Sequence, residues 1–174
     1  NISNNGYTGT WSPTINNTAT TDYTFTPTAG QCATSTTLTV TVNLLPVVDA
    51  GNYTSVCSNA ASISLVGSPA GGTFSGIGVT GNNFSPAQGT QTVTYTYTDG
   101  NGCTNSDNTL ITIFNLPNIS AGNEIDICEG ESVTLSGSGG VSYVWDNGAV
   151  NGQTFTPTVG QATYTVTGTD ANGC

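Results

Sequence analysis

Val-Thr-Tyr-Thr-Tyr-Thr at 93–98 alternates apolar and polar side chains with a period of two. The same alternation appears in "LTVTV" (38–42), "TYTVT" (163–167), "SISLV" (62–66), "SVTL" (132–135) and "YTFT" (23–26). One face of each segment carries Val, Leu, Ile, Tyr or Phe, and the other carries Thr or Ser. This pattern predicts half-buried strands of antiparallel sheets. No segment has helical periodicity. "DGNG" (99–102) and "DANG" (170–173) supply residues that tolerate positive φ, so a hairpin turn is expected at each.

The turn phrase is part of a longer period. Cys32, Cys103 and Cys174 are spaced 71 residues apart, and so are Cys57 and Cys128. The same shift carries "LPVVDAGN" (45–52) onto "LPNISAGN" (116–123), Phe74 onto Trp145, Phe84 onto Phe155, Pro86 onto Pro157 and Gly89 onto Gly160. Spacing of this kind marks a tandem array. Three pieces are expected: 1–43, the back of a first repeat; 44–115, one complete repeat; and 116–174, the front of a third. "WSP" (11–13) stands for "FSP" (84–86), with about two extra residues before Cys32. Six or seven short strands in each 71-residue unit predict an all-β fold: tandem, small, immunoglobulin-like β-sandwiches, in a window of a longer repetitive chain.

Composition narrows the chemistry. The 174 residues include ten acids and no Lys, Arg or His, giving a formal charge of −10. Nucleic-acid binding rests on cationic side chains, so nucleic acid is excluded as a partner. No apolar run approaches a membrane span, and no membrane insertion is expected. Without His or Lys there is no Ser-His-Asp triad, no Schiff base and no His-ligated metal. Carboxylate pairs of the glycosidase type remain chemically possible, yet no pair stands out, and the reading is a non-enzyme without a cofactor. With 33 Thr, 19 Asn and 23 Gly, the chain is built for strands and turns. Five Asn-x-Ser/Thr sequons, at Asn1, Asn16, Asn52, Asn83 and Asn118, are as many as chance gives for this composition and carry no information.

Five Cys without a CxxC point to disulfides and an oxidising compartment outside the cytoplasm. Cys57 and Cys103 are 46 residues apart, as are Cys128 and Cys174. Of the three pairings these four allow, the within-repeat one recurs with the period. Bonds Cys57–Cys103 and Cys128–Cys174 are therefore expected, with Cys32 pairing upstream of residue 1. A ring of that length stabilises by about 4 kcal/mol in the chain-entropy model.

"YTVTGTDANGC" (164–174), "YVWDNG" (143–148) and "ICEGESVTLSGSG" (127–139) resemble the SprB-like and PKD-like repeats of giant surface adhesins in gliding Bacteroidetes. "YVWDNG" is similar to a shortened Trp-Asp core motif of PKD domains. The resemblance touches all three pieces and is fullest over 116–174. Residues 67–90 depart from it, with "GGTFSGIGVTGNNFSP" in place of the Trp-Asp phrase. It implies a bead in a long filament on the bacterial cell surface, exported by the type IX route and used in adhesion or gliding motility. The partners it implies are neighbouring repeats, surface polysaccharide and other filament subunits. It carries over no catalytic residue.

Three further clusters were weighed. Glu124, Asp126, Glu129 and Glu131 lie close together, as calcium ligands do, but the preceding repeat has no acid there and a solvated edge is the plainer reading. The Thr rows 92–98 and 163–169 read as the wet side of strands rather than an ice-binding face. Tyr143, Trp145 and Phe155 could form a sugar platform, which keeps a carbohydrate-binding module as the alternative function; aromatics at strand positions are more often core. Finally, Asn43 and Leu44 alone separate Val42 from Leu45-Pro46, and Asn115 alone separates Phe114 from Leu116-Pro117. Such short junctions, stiffened by proline, predict beads stacked into a rod.

Overall fold

The computed structural model describes residues 5–174; the sequon at Asn1 lies outside them, as do the first four residues of the opening piece. The described chain is all-β, with 36% strand and 2% helix. Over 5–43 the strands are β1 (Gly9–Ser12), β2 (Thr21–Pro27) and β3 (Thr36–Val40). Over 44–115 they are β4 (Val56–Cys57), β5 (Ile63–Ser64), β6 (Thr73–Ser75), β7 (Val79–Thr80), β8 (Asn83–Phe84), β9 (Gln91–Thr98), β10 (Thr104–Ile111) and β11 (Ile113–Phe114). Over 116–174 they are β12 (Val133–Thr134), β13 (Ser142–Trp145), β14 (Thr154–Phe155) and β15 (Val166–Thr169).

Every alternating segment picked out in the sequence contains strand, though "TYTVT" joins one only from Val166. A single 3-10 turn at Pro86–Gln88 is the helical content of the described residues. Proline sets its first φ, and Gly89 at φ 71° ends it.

The small sheets run β1-β2-β3, β10-β9-β6, β5-β8-β7, β12-β14 and β13-β15, while β11 pairs with β4 in parallel. In β9 the period of two is realised directly: Val93 and Tyr95 are buried, and the Thr side faces outward. Thr94 Oγ1 donates to Asn108 Oδ1 (2.7 Å), and the Thr98 and Thr104 hydroxyls hydrogen-bond at 2.8 Å. The Thr row of this strand thus binds its own neighbour strand. Behind it, Leu65, Phe84, Val93, Ile111 and Ile113 form the core, with Tyr53, Val56, Ile63, Phe74 and Val79 packed around them. β10 faces inward with polar residues before it reaches Ile111: Asp107 Oδ2 accepts the Ala50 N–H (2.9 Å), and Asn105 Nδ2 donates to the Pro46 carbonyl (2.9 Å).

Registers recur at the sequence period. Phe74 faces Tyr95 in the β6–β9 pair, and Trp145 faces Val166 in the β13–β15 pair, each residue displaced by 71. Ile63 faces Phe84 in β5–β8, and Val133 faces Phe155 in β12–β14, where Phe155 is displaced by 71 and Val133 by 70.

The compact units cut across the three pieces expected from sequence. One unit is Asn1–Val47 with Tyr97–Asn105; the other is Val48–Thr96 with Ser106–Cys174. The turn joining β9 to β10 therefore belongs to a unit made mostly of residues 1–47.

Candidate functional site

The element that recurs most faithfully is the cysteine-bearing turn. At 99–103 the Asp99 N–H donates to the Cys103 carbonyl (2.9 Å), and Asp99 Oδ1 accepts the N–H groups of Asn101 (2.8 Å) and Cys103 (2.9 Å). At 170–174 the Asp170 N–H donates to the Cys174 carbonyl (2.8 Å), and Asp170 Oδ1 accepts from Asn172 (2.9 Å) and Cys174 (2.8 Å). The fourth residue must take positive φ for the chain to close back. Gly102 does so at 83° and Gly173 at 82°. An aspartate capping its own turn explains the recurrence without a metal.

The Cys174 N–H is the largest influence holding the Asp170 carboxyl below its ordinary value of 3.8. Partial desolvation opposes it, and the Asn172 backbone and amide and the Gly173 N–H add to the lowering. Hydrogen bonds to the ionised form favour that form.

This turn presents Cys174 to Cys57, and the two are disulfide-bonded with Cα atoms 5.6 Å apart. Cys57 ends β4, beside Phe114 of the parallel strand β11, and the Ser58 N–H continues that edge by donating to the Phe114 carbonyl (2.8 Å). The expected bonds Cys57–Cys103 and Cys128–Cys174 are both absent: Cys103, Cys128 and Cys32 are unbonded. The physical reason lies in where the turns project. The turn with Cys103 is grouped with Asn1–Val47 and not with Cys57, while the turn with Cys174 lies in the unit that holds both Cys57 and Cys128 and there meets Cys57. Treating four cysteines as a closed set hid this option. A pairing across 117 residues recurs with the 71-residue period just as well, because its span exceeds the within-repeat spacing of 46 by one period.

The other candidates resolve into structure. Glu131 Oε2 accepts the Cys128 N–H (2.9 Å), which closes a local turn. Among the described residues, the acids of 124–131 do not gather into a metal-holding group. Trp145 is 6% exposed and its Nε1 donates to Asn151 Oδ1 (3.1 Å). The Tyr143 hydroxyl accepts the Gly140 N–H (2.8 Å) and donates to the Gly140 carbonyl (2.6 Å). Phe155 stacks edge-on against Tyr164, with ring centroids 5.4 Å apart. Trp145 and Tyr143 thus spend their polar atoms on nearby groups of the same region, and Phe155 packs on Tyr164.

Two open grooves remain. One, of about 580 Å³, is lined by Trp11, Ile15, Tyr23, Leu38, Val40 and Val42. One period after Val40 and Val42 stand Ile111 and Ile113, which are core residues of 44–115. The other, of about 720 Å³, is lined by Ile125, Val133, Leu135, Trp145, Pro157 and Tyr164. Both grooves are faces that the 44–115 region fills with its own strands. No protein-family model matches the chain, and comparison with curated proteins finds no match.

Proposed function

We propose that this chain is a segment of a structural stalk: tandem β-sandwich repeats that hold the binding tip of a cell-surface adhesin away from the cell, for adhesion or gliding. The reading takes the filament to be extracellular, secreted by the type IX route, and non-catalytic. Its partners are the neighbouring repeats of the same chain, with surface polysaccharide or other filament subunits alongside.

The observation that supports it is the nature of what recurs. Strand registers, the Asp-capped turn and the cysteine positions return after 71 residues. All of these are structural devices, and none arrays polar groups around a cavity. The disulfide fits a compartment outside the cytoplasm. Among the described residues, no helix is long and apolar enough to cross a membrane.

Small-angle scattering on three complete repeats tests the proposal. A stiff rod near 100 Å is expected from strands of eight to ten residues per bead; a compact particle or a loose string of beads refutes it. The groove beside Trp11, a residue 39% exposed, is the feature favouring a carbohydrate-binding module instead. A glycan array separates the two readings, since the stalk gives no signal.

A further inference from the structure

We propose that consecutive repeats are joined by a disulfide ladder, in which the front cysteine of each repeat bonds the turn cysteine of the repeat that follows. The proposal rests on reading the chain as a tandem array. One rung, Cys57–Cys174, is present in the structure. By the same rule Cys128 bonds a cysteine one period beyond Cys174, and Cys103 bonds one a period before Cys57.

Three observations converge on this. Cysteines of both kinds keep the 71-residue spacing. The turn around Cys103 reproduces the backbone N–H bonds that the aspartate accepts in the turn around Cys174. That turn, Tyr97–Asn105, is grouped with Asn1–Val47, and the turn ending at Cys174 shares a unit with Val48–Thr96 as well as with its own piece. Cys103 is thus presented backwards along the chain in the way Cys174 is, and it is left unbonded beside Cys128 and Cys32.

The ladder has a covalent consequence that within-repeat bonds lack. A rung spanning 117 residues is longer than the 71-residue period, so in an extended array every peptide bond lies inside at least one ring. Rings of 46 residues would leave 25 of every 71 residues outside any ring. One backbone cut anywhere inside the array therefore leaves the filament in one piece. Each rung forms when two thiols give two protons and two electrons to the disulfide of a thiol–disulfide oxidant, which leaves as a dithiol.

The chain has no Lys or Arg, so Asn115→Arg creates a single trypsin site at an exposed position between the second and third pieces. After cleavage, the oxidised protein should run as one band without reductant and as two with it. Separation without reductant overturns the Cys57–Cys174 rung. Adding Cys57→Ser should release the fragments unreduced, whereas adding Cys103→Ser should leave them joined. Disulfide mapping of the unsubstituted chain with chymotrypsin gives the same answer if the Arg variant does not fold.

The periodic rule is tested by appending a copy of residues 104–174 after Cys174. Cys128 should then bond the copied Cys174, and its alkylation should fall from complete to none. A free Cys128, or one bonded to Cys174, refutes the ladder. Scattering reads the stalk independently: a rod whose cleaved fragments separate keeps the stalk and loses the ladder, and a linked but compact particle does the reverse.

Discussion

In residues 44–115 the tyrosine that closes the end of the sheet stands on β9, and in residues 116–174 it stands on β13. Tyr95 lies over Gly67, accepts the Gly72 N–H (2.8 Å) and donates to the Pro69 carbonyl. Tyr143 lies over Gly137 and bonds both backbone groups of Gly140. One period on from Gly72 is Tyr143, and one period on from Tyr95 is Val166. A Cβ at Gly72 would sit 2.6 Å from the Tyr95 hydroxyl oxygen, so the two strands cannot both carry the ring. In both regions a tyrosine hydroxyl bonds the turn backbone, while the strand that supplies the ring changes. This exchange accounts for part of the departure of residues 67–90 from the Trp-Asp phrase.

The two regions differ in cover as well. β9 is flanked by β10 and β6, whereas β15 pairs with β13 alone among the described residues. Ile111 and Ile113 close the core of 44–115, and β13–β15 has no third strand beside it among the described residues. Trp145 is consequently the buried hydrophobic of 116–174, and the groove at Val133 and Tyr164 stays open.

The largest expected effect separates the regions by their cover. Phe84→Ala, at a fully buried ring, should cost about 3–5 kcal/mol in chemical denaturation. Phe155→Ala, at the half-buried counterpart, should cost less than half as much. Equal losses would mean that the difference in cover has no energetic weight. Next comes the exchange of tyrosines. Gly72→Tyr alone should overpack the site by about 1–3 kcal/mol, and Tyr95→Val alone should leave a cavity. The double variant should be more stable than either, with a coupling read from the double-mutant cycle; additive losses would break the comparison.

A kinetic difference should follow too. Chymotrypsin should cut the oxidised chain at Phe155 and Tyr164 before Tyr95, which is 3% exposed. Appending a copy of residues 104–115 should slow those cuts by about tenfold, by supplying a further strand beside β15. The smallest effect is electrostatic. Because the folded value for Asp170 lies below the ordinary 3.8, its stabilisation is complete above the unfolded value and fades as pH falls through the folded one. Carboxyl NMR should show Asp170 titrating below 3.8; a midpoint at or above it contradicts the hydrogen-bonded turn.

The strands were legible because alternation is a local signal: Val93, Tyr95 and the Thr residues between them declare β9 without reference to anything else. The turns were legible for the same reason, since an Asp, an Asn and a Gly within four residues determine their own closure. The disulfide partner of Cys57 was not. Spacing ranks pairs by periodicity, and only the fold shows that a hairpin reaches past its own repeat. Nor could periodicity reveal the exchange between Tyr95 and Tyr143, because each residue satisfies its own strand's pattern and the link exists only across the sheet. The polar inward face of β10 was equally hidden: nothing in the sequence pairs Asn105 with the carbonyl of Pro46 or Asp107 with the N–H of Ala50.

The bond from Cys57 to Cys174 also decides where mechanical tension travels. A pull applied to the chain before Cys57 and at Cys174 passes through the two sulfurs, and the chain between them, a sequence separation of 117, carries no load. Fully drawn out, that much chain would measure about 400 Å, and the bond withholds all of it. Reduction would release it as slack. A tether built this way behaves under force as a short strap, and it becomes extensible only when its sulfurs are parted.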